Sequence, residues 1–333
     1  IEVFRLLREI VKQRLQFYVQ KSGGANVLLH YGEKVSDQLS FQVVSGKWNY
    51  RITMRSTRND EFYISSEDCV HRDLDNPDDD YYITIVDVGN GMGKESRLEA
   101  YKAVDDNMVT VTVQQVLHVM DSWQVYHFHD TSDSASVKNY HNLNDNEYLR
   151  SDAANLAAYL YLLREKYLHE YKQIVETIRL AAPFFDDFHL RPNPLNESTI
   201  ILEWREKNSD VPFKASYLSD GTLRFICLTT LLLQPNLPST ILIDEPELGL
   251  HPFAIGLLAS MLRSASVKTQ VIVSTQSVSL RNQFSPENII VVDRSDGASQ
   301  FKRVDADSLE LWLEDYAMGE LWEKNVVGGS PQR

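Results

Sequence analysis

The stretch "TILIDEPELGLHP" (residues 240–252) decides the fold class of this chain. Its first four residues form an apolar run without alternation, which predicts a strand buried on both faces, as in a parallel sheet. Asp244 and Glu245 follow at the carboxyl end of that strand, where α/β folds bind ligands. Two adjacent carboxylates can divide metal-dependent phosphate chemistry: Asp244 would hold Mg²⁺ and Glu245 would polarise the attacking water. The alternative is an acidic pair that caps the helix predicted near Pro252.

A second segment, "YLSDGTLRFICL" (residues 217–228), predicts a Ser-x-Gly turn that opens an apolar helix. Ser219 and the backbone N–H groups near Gly221 would form a helix N-terminus, which attracts anions. The alternative is an ordinary capped helix, because Ser and Asp are common N-caps.

A third segment, "QVIVSTQS" (residues 270–277), predicts an apolar strand with a polar end. Thr275, Gln276 and Ser277 are suited to sensing a γ-phosphate. The alternative is a plain strand-end turn.

The order of predicted elements favours an α/β fold, because strands and helices alternate through the last third of the chain, including a strand in "NIIVVDR" (residues 288–294). Long helices are predicted over residues 1–19 and 152–180. Alternating polar and apolar residues predict earlier, antiparallel strands. Those strand-like segments are "LSFQVV" (39–44), "WNYRITMRS" (48–56), "EFYISS" (61–66), "MVTVTVQQV" (108–116) and "SWQVYHFHD" (122–130).

The composition and charge of the chain argue against several classes of function. The chain has 333 residues, 43% hydrophobic and 24% charged, and a formal net charge of −14. That charge argues against a surface that coats nucleic acid nonspecifically, although residues 5–21 are locally basic. Two cysteines cannot form a structural zinc site. We find no apolar stretch long enough to span a membrane and expect a cytoplasmic protein.

The glycine-rich segment "DVGNGMGKES" (residues 87–96) resembles a phosphate-binding P-loop but fails its pattern, G-x-x-x-x-G-K-[ST]. Val88 stands where the first glycine belongs, and Glu95 stands where the magnesium-binding hydroxyl belongs. We interpret the segment as a turn. The acidic run at residues 71–82 likewise fails the calcium-loop pattern, because Pro77 and Asp78 occupy positions that require a ligand and a glycine.

Three features in this order, a Ser-x-Gly turn, an acidic strand end and a polar strand end, resemble the head domain of ABC-type ATPases. The likeness is closer to the RecF, SMC and OLD-like branch, and closest to bacterial RecF-like AAA ATPases. The segments that carry it are "YHFHDTS" (126–132), "LRSDAANLAAYL" (149–160), "LSDGTLRFICLTTLLLQP" (218–235), "IDEPELGLHPFAI" (243–255), "STQS" (274–277) and "ELWLEDYAMGELWEKNVVGG" (310–329).

The resemblance implies an α/β P-loop NTPase fold of the ABC-type head, in four parts. Residues 1–145 would form an N-terminal lobe with antiparallel strands, and residues 146–190 a helical lid. Residues 191–300 would form a C-terminal lobe with a parallel sheet. Residues 301–333 would form a docking tail. Its aromatic residues, Trp312, Tyr316 and Trp322, predict packing on the body, and the alternative is a surface that binds a partner.

The resemblance also implies roles for individual residues. Asp244 would bind Mg²⁺, and Glu245 would activate water. Ser219, Asp220 and Gly221 would contact the γ-phosphate of ATP held by the opposite subunit of a homodimer. His251 would lie in the loop that signals across that dimer. Gln276 takes the place of a His that commonly senses the γ-phosphate, and an amide cannot carry a proton.

In such proteins a P-loop precedes a helix like "IEVFRLLREIV" (residues 1–11), so we expect that loop upstream of Ile1 and weak ATP binding without it. The implied setting is DNA repair or anti-phage defence, with DNA and a Toprim-like nuclease as partners and no membrane. The competing hypothesis is a nucleotide-gated scaffold with little turnover. We do not assign a metal to His127, His129 and Asp130, because a third well-spaced ligand is not evident.

Overall fold

The computed structural model describes residues 1–71, 81–86, 93–295 and 297–304. It divides into two compact units, Ile1–Trp123 and Gln124–Arg333. The boundary lies before the predicted one at residue 145, and the four-part division of the sequence remains a prediction. In the part of the chain that is described, no helix is both long and apolar enough to cross a bilayer.

The described residues of unit 1 form four α-helices and a four-stranded antiparallel sheet in the order β1-β2-β3-β4. The three predicted strands at residues 39–66 are confirmed as β1, β2 and β3. The elements of this unit are α1 (Glu2–Val11), α2 (Leu15–Lys21), α3 (Ala25–Leu28), β1 (Gln38–Ser45), β2 (Trp48–Ser56), β3 (Phe62–His71), β4 (Tyr81–Val86) and α4 (Asn107–Asp121).

The strand predicted at residues 108–116 is wrong, because the segment lies in α4. Alternating Val and Thr imitate a period of two, but Val109, Val113 and Val116 are buried at helical spacing. Asp106 caps the helix, and its carboxylate accepts hydrogen bonds from the backbone N–H groups of Met108 and Val109. Tertiary burial and the cap together override the β-branched composition.

A buried carboxylate forms hydrogen bonds that connect the sheet of unit 1 to the segment that follows it. Glu67 is fully buried and accepts hydrogen bonds from Tyr50 Oη at 2.8 Å and Ser96 Oγ at 2.6 Å. The backbone N–H of Arg97 donates to its other oxygen at 3.0 Å. Desolvation raises the pKa of Glu67 above its ordinary value, because burial disfavours the charged form.

The predicted first helix is two helices, since the chain turns between α1 and α2 at Gln13, whose φ is +56°. Glu95 accepts hydrogen bonds from the backbone N–H groups of Leu15 and Gln16 at the start of α2. Its carboxylate therefore has a structural role, which agrees with our rejection of a P-loop there. Most cations of the locally basic segment also form ion pairs within unit 1, with Glu2, Glu9 and Asp121 as their partners.

Unit 2 contains the parallel sheet that the sequence predicts. The core strands β12 and β13 are parallel and in register from Thr240↔Gln270 to Asp244↔Ser274, and the sheet order is β13-β12-β5. The strands of this part are β5 (Trp123–Tyr126), β6 (His141–Asn142), β7 (Phe185–Phe188), β8 (Pro192–Asn193), β9 (Asn196–Ile200), β10 (Glu203–Glu206), β11 (Phe213–Lys214), β12 (Thr240–Asp244), β13 (Gln270–Ser274), β14 (Ile290–Ser295) and β15 (Ala298–Arg303).

The predicted strand near residues 288–294 does not join the parallel sheet. It forms β14, which pairs with β15 as an antiparallel hairpin. The α/β fold class is thus confirmed with a smaller parallel sheet than the alternation suggested. The remaining helices are α5 (Leu156–Lys166), α6 (Leu168–Ala181), α7 (Asp220–Leu233), α8 (Pro252–Ser266) and α9 (Val278–Arg281).

The single helix predicted over residues 152–180 is wrong, because Tyr167, with φ −133° and ψ 55°, separates α5 from α6. Neither Gly nor Pro marks this break in the sequence. Both helices contribute fully buried side chains to the core of unit 2, among them Leu160, Leu163 and Ile174. Asn155, also fully buried, donates to the carbonyls of Asp145 and Tyr148 and so fixes the loop before α5.

Three predictions lie outside the described residues. They are the loop at 72–80, the glycine-rich segment at 87–92, and the tail at 305–333 with Trp312, Tyr316 and Trp322.

Candidate functional site

The acidic pair lies at the carboxyl edge of the parallel sheet, as predicted. Asp244 ends β12 beside Ser274, its register partner at the end of β13. The Ser274 hydroxyl donates a short hydrogen bond to Asp244 Oδ1. The backbone N–H of Glu245 donates to the Ser274 carbonyl at 2.8 Å. Both acidic residues are therefore attached to the neighbouring strand, Asp244 through its carboxylate and Glu245 through its backbone.

The two predicted catalytic residues, Glu245 and Gln276, are in contact. Gln276 Nε2 donates to Glu245 Oε1 at 3.2 Å. Arg281 holds the backbone of this strand end, because its Nη2 donates to the Gln276 carbonyl at 2.8 Å. The polar end of β13 thus faces the acidic pair directly, and the amide of Gln276 keeps a lone pair on its oxygen for water or phosphate.

A third carboxylate, which our sequence analysis missed, belongs to the same edge. Glu247 is 9% exposed, and its Oε1 accepts a short hydrogen bond from the Thr275 hydroxyl. No group in the described part of the chain donates to its buried Oε2. The signal was available, since the acidic spacing in "DEPE" places Glu247 two residues after Glu245.

The Ser-x-Gly turn opens α7, as predicted. Ser219 Oγ accepts a hydrogen bond from the backbone N–H of Thr222 at 3.2 Å and lies 2.8 Å from its hydroxyl. Asp220 is the first residue of α7, where a carboxylate interacts favourably with the helix dipole. A Cβ added at Gly221 would lie 2.4 Å from the carbonyl oxygen of Gly249, so only glycine permits this close approach.

His251 is the N-cap of α8. Its Nδ1 accepts a hydrogen bond from the backbone N–H of Phe253 at 3.2 Å, and Pro252 occupies the first turn. The acidic pair had two interpretations, metal-dependent phosphate chemistry and a helix cap, and this finding tests the second. The structural alternative, in which Asp244 and Glu245 cap that helix, is wrong because His251 provides the cap.

Arg224 connects the elements of the site and was also missed. It is 5% exposed, and its guanidinium donates to the carbonyls of Phe128 at 2.9 Å and His129 at 3.3 Å. A third, short bond reaches the Leu248 carbonyl. The sequence did carry a signal, because Arg224 is the one charged residue in the apolar run "TLRFICLTTLLL" (222–233).

His129 and Asp130 form hydrogen bonds within unit 2. His129 Nε2 donates to the Asp244 carbonyl at 2.8 Å, which defines its tautomer. Asp130 accepts hydrogen bonds from the hydroxyl and the backbone N–H of Ser132, and these bonds lower its pKa. Among the described residues, no group of three or more His, Cys, Asp or Glu side chains is placed to hold a metal ion.

The residues at the sheet edge fit Mg²⁺ as a nucleotide-bound ion. Mg²⁺ is usually held by one or two carboxylates together with waters and phosphate oxygens, so a dedicated protein cage is not required. Asp244 offers one such carboxylate, oriented by Ser274. The unpartnered buried oxygen of Glu247 adds an acceptor for a water or another donor. The Ser219–Gly221 turn, named the signature turn below because it opens the signature helix α7, shares no hydrogen bond with the acidic pair among the described residues. The loop after the acidic pair contacts this turn at Gly249 and is bound by Arg224 at the Leu248 carbonyl.

An acidic pair that follows a buried parallel strand, beside a polar strand end, is typical of the nucleotide-binding ATPase class of α/β proteins. Within that class, the chain belongs to the AAA family described as "AAA domain, putative AbiEii toxin, Type IV TA system", whose model matches residues 109–282, just over half of the chain. The predicted membership among AAA-type ATPase heads is confirmed. It supports nucleotide binding and hydrolysis as the general activity, with Mg²⁺ as the accompanying ion.

Solved structures of SMC head domains are similar to this chain at low sequence identity. A SmcHead bound to the C-winged helix domain of ScpA is 13% identical over 93% of this chain and 88% of that chain, with a TM-score of 0.49. A Pyrococcus furiosus Smc head bound to the C-terminal domain of ScpA is 14% identical over 94% and 89%, with a TM-score of 0.45. An SMC head from Thermotoga maritima is 12% identical over 89% and 87%, with a TM-score of 0.35. No curated protein matches the chain. The family assignment rests on the match over residues 109–282.

Proposed function

We propose that the protein is a Mg²⁺-dependent ATPase head that dimerises around ATP and converts hydrolysis into opening and closing. The hydrogen bond between Gln276 and Glu245 carries this proposal, because it places a carboxylate and an amide together beside Asp244. Asp244 would hold Mg²⁺, which when bound neutralises charge on the phosphate oxygens. Glu245 would accept a proton from the attacking water, and Gln276 would orient that water or the γ-phosphate.

The dimeric arrangement is the second part of the proposal. The Ser219–Gly221 turn presents a helix N-terminus and, among the residues that the structure describes, shares no hydrogen bond with the acidic pair of its own chain. We infer that Ser219, Asp220 and Gly221 contact ATP held by a second copy, with the loop that ends at His251 beside that interface. The proposal keeps the predicted division into lobes, with residues 146–190 as a helical lid over the head.

The biological setting is part of the proposal. The family resemblance and the toxin–antitoxin description of the family favour a role in anti-phage defence, or in DNA repair, with a Toprim-like nuclease as the partner that cleaves DNA. The composition and the small number of cysteines, two in 333 residues and both free, favour the cytoplasm.

Replacing Glu245 by Gln in the full-length protein tests the activity. The amide keeps the shape of the side chain but cannot accept the proton, so ATP turnover should fall about 10²- to 10⁴-fold. Light scattering should then detect a stable dimer with ATP, because bound nucleotide is no longer consumed. Glu197→Gln is the matched control, since it removes one exposed carboxylate in β9 and should change neither property.

A nucleotide-gated scaffold is the second candidate, and one observation favours it. Gln276 replaces the imidazole of the ABC pattern, and its amide carries no proton. Negligible hydrolysis by the wild-type protein, unchanged in Glu245→Gln, would reject the ATPase. ATP-dependent dimerisation without turnover would then support the scaffold.

A further inference from the structure

Arg224 is a buried cation bound to backbone carbonyls. It lies in the second turn of α7, five residues after Ser219. Its Nε and Nη2 bind the carbonyls of Phe128 and His129, and its Nη1 binds that of Leu248. A single side chain of the signature helix therefore holds two separate segments of unit 2.

Both segments touch the acidic pair. His129, one of the carbonyl acceptors, also donates its ring Nε2–H to the Asp244 carbonyl at 2.8 Å. Leu248 lies in the loop that follows Glu245, and the backbone N–H of Leu248 donates to the Glu245 carbonyl at 3.2 Å. The guanidinium thus binds two segments, at residues 128–129 and at Leu248, and each of these segments is hydrogen-bonded to the backbone of the acidic pair.

The loop that contains Leu248 and Gly249 also packs directly against the signature turn. Gly249 has a φ of +76°, and its carbonyl oxygen occupies the space that a Cβ of Gly221 would need. A Cβ on Gly249 itself would lie 3.0 Å from Arg224 Nη1. The turn, the loop and the guanidinium are therefore in close contact with one another.

The chemistry of the side chain suits this placement. Burial lowers the pKa of Arg224, and no described carboxylate forms an ion pair with it. A buried charge is costly, and an apolar side chain would fill the space at lower cost. The planar guanidinium supplies several N–H donors in a fixed geometry, and neither an apolar side chain nor a lysine can replace them.

We propose that Arg224 is a positioning residue that holds the Ser219–Gly221 turn and the Asp244–Glu245 pair in one fixed arrangement. The proposal rests on the proposed ATPase function, in which the turn and the pair act on different ATP molecules of a dimer. The hydrogen bonds of Arg224 go to backbone carbonyls, so its role in the reaction would be indirect. Its loss should therefore affect the chemical step more than nucleotide binding.

The test compares Arg224→Lys and Arg224→Gln with wild type in the full-length protein. The kcat for Mg-ATP should fall about 10- to 100-fold, as for other residues that orient a site from behind. The KM should stay within about twofold, because ground-state contacts are unchanged. Lys should not rescue, since one ammonium cannot span three carbonyls in two segments. Arg179→Lys, which alters a carbonyl-binding arginine in α6, is the control and should behave as wild type.

Hydrogen exchange provides a readout that does not need turnover. In the Arg224 variants, exchange should rise together at residues 219–223, at residues 245–251 and around Phe128 and His129, whose carbonyls Arg224 binds, with the rest of unit 2 unchanged. If the variants are too unstable, Gly249→Ala perturbs the same contact from the loop side without removing the buried charge.

Wild-type kcat in Arg224→Lys, or faster exchange in one segment alone, would overturn the proposal. A uniform rise in exchange across unit 2 would also overturn it, because that result describes a general loss of stability. If wild type hydrolyses no ATP, the proposed activity fails. The exchange experiment then still decides whether Arg224 couples the two segments.

Discussion

Replacing Gly221 by Ala probes the contact between the signature turn and the loop after the acidic pair. The added Cβ would lie 2.4 Å from the Gly249 carbonyl oxygen, whereas ordinary contacts of a Cβ begin at 3.4 Å. The atoms must therefore separate by about 1 Å. The obstacle is backbone rather than the end of a flexible side chain, so neither group can simply rotate away.

The size of the effect follows from two opposing terms. Overpacking of this kind costs about 1–3 kcal/mol. Alanine in place of glycine gains at most about 1 kcal/mol in a helix interior, and less in the first turn where residue 221 lies. We expect a net destabilisation of about 1–2 kcal/mol, which lowers the Tm by about 2–8 °C in a region of this size.

Calorimetry of wild type, Gly221→Ala and Gly256→Ala measures this prediction. Gly256 lies in α8, and a Cβ there meets no atom within 4 Å. The control substitution should therefore stabilise by about 0.5–1 kcal/mol. Opposite signs for the two variants would support the close approach. A stabilised Gly221→Ala protein would refute it, because the loop and the turn could not then be in contact.

Two further predictions concern unit 1. Glu67→Gln should flatten the dependence of stability on pH. Because the pKa of Glu67 is raised in the folded state, its contribution to stability is present below pH 4.5 and is lost as the pH rises through the folded-state value. Wild type should therefore lose stability relative to the variant in denaturant titrations as the pH rises above 4.5. A gap between the two proteins that widens in favour of wild type over that range would contradict this. Asp106→Ala should lower the free energy of unfolding by about 1 kcal/mol in thermal unfolding, because it removes both hydrogen bonds of the α4 cap. Asp106→Asn should retain most of the stability. Equal losses in the two variants would show that the cap is not the cause.

The acidic strand end could be predicted because its signal is local. An apolar run followed by Asp244 and Glu245, and a Ser219 cap before an apolar helix, are each visible within a few residues. The strand end at Gln276 was predicted in the same way. Helix α4 was misread because Val and Thr alternate where burial repeats at helical spacing.

The connections between these pieces could not be derived in that way. Arg224 binds carbonyls 95 and 96 residues earlier in the chain and 24 residues later. Only the three-dimensional packing brings those segments together. The contact of Gly221 with Gly249 has the same origin, since each glycine alone predicts a turn and neither names its neighbour.

The backbone of Glu245 bears on why a carboxylate stands at this position. Its φ is +40°, in the left-handed region that a residue with a Cβ occupies at a cost of about 1 kcal/mol or more. Glycine would adopt that conformation without strain and would still donate its N–H to the Ser274 carbonyl. The carboxylate is not needed to cap α8, because His251 does so. What glycine could not provide is the oxygen that accepts the amide of Gln276 beside Asp244. The strain is therefore better explained by chemistry at the sheet edge than by the stability of the turn.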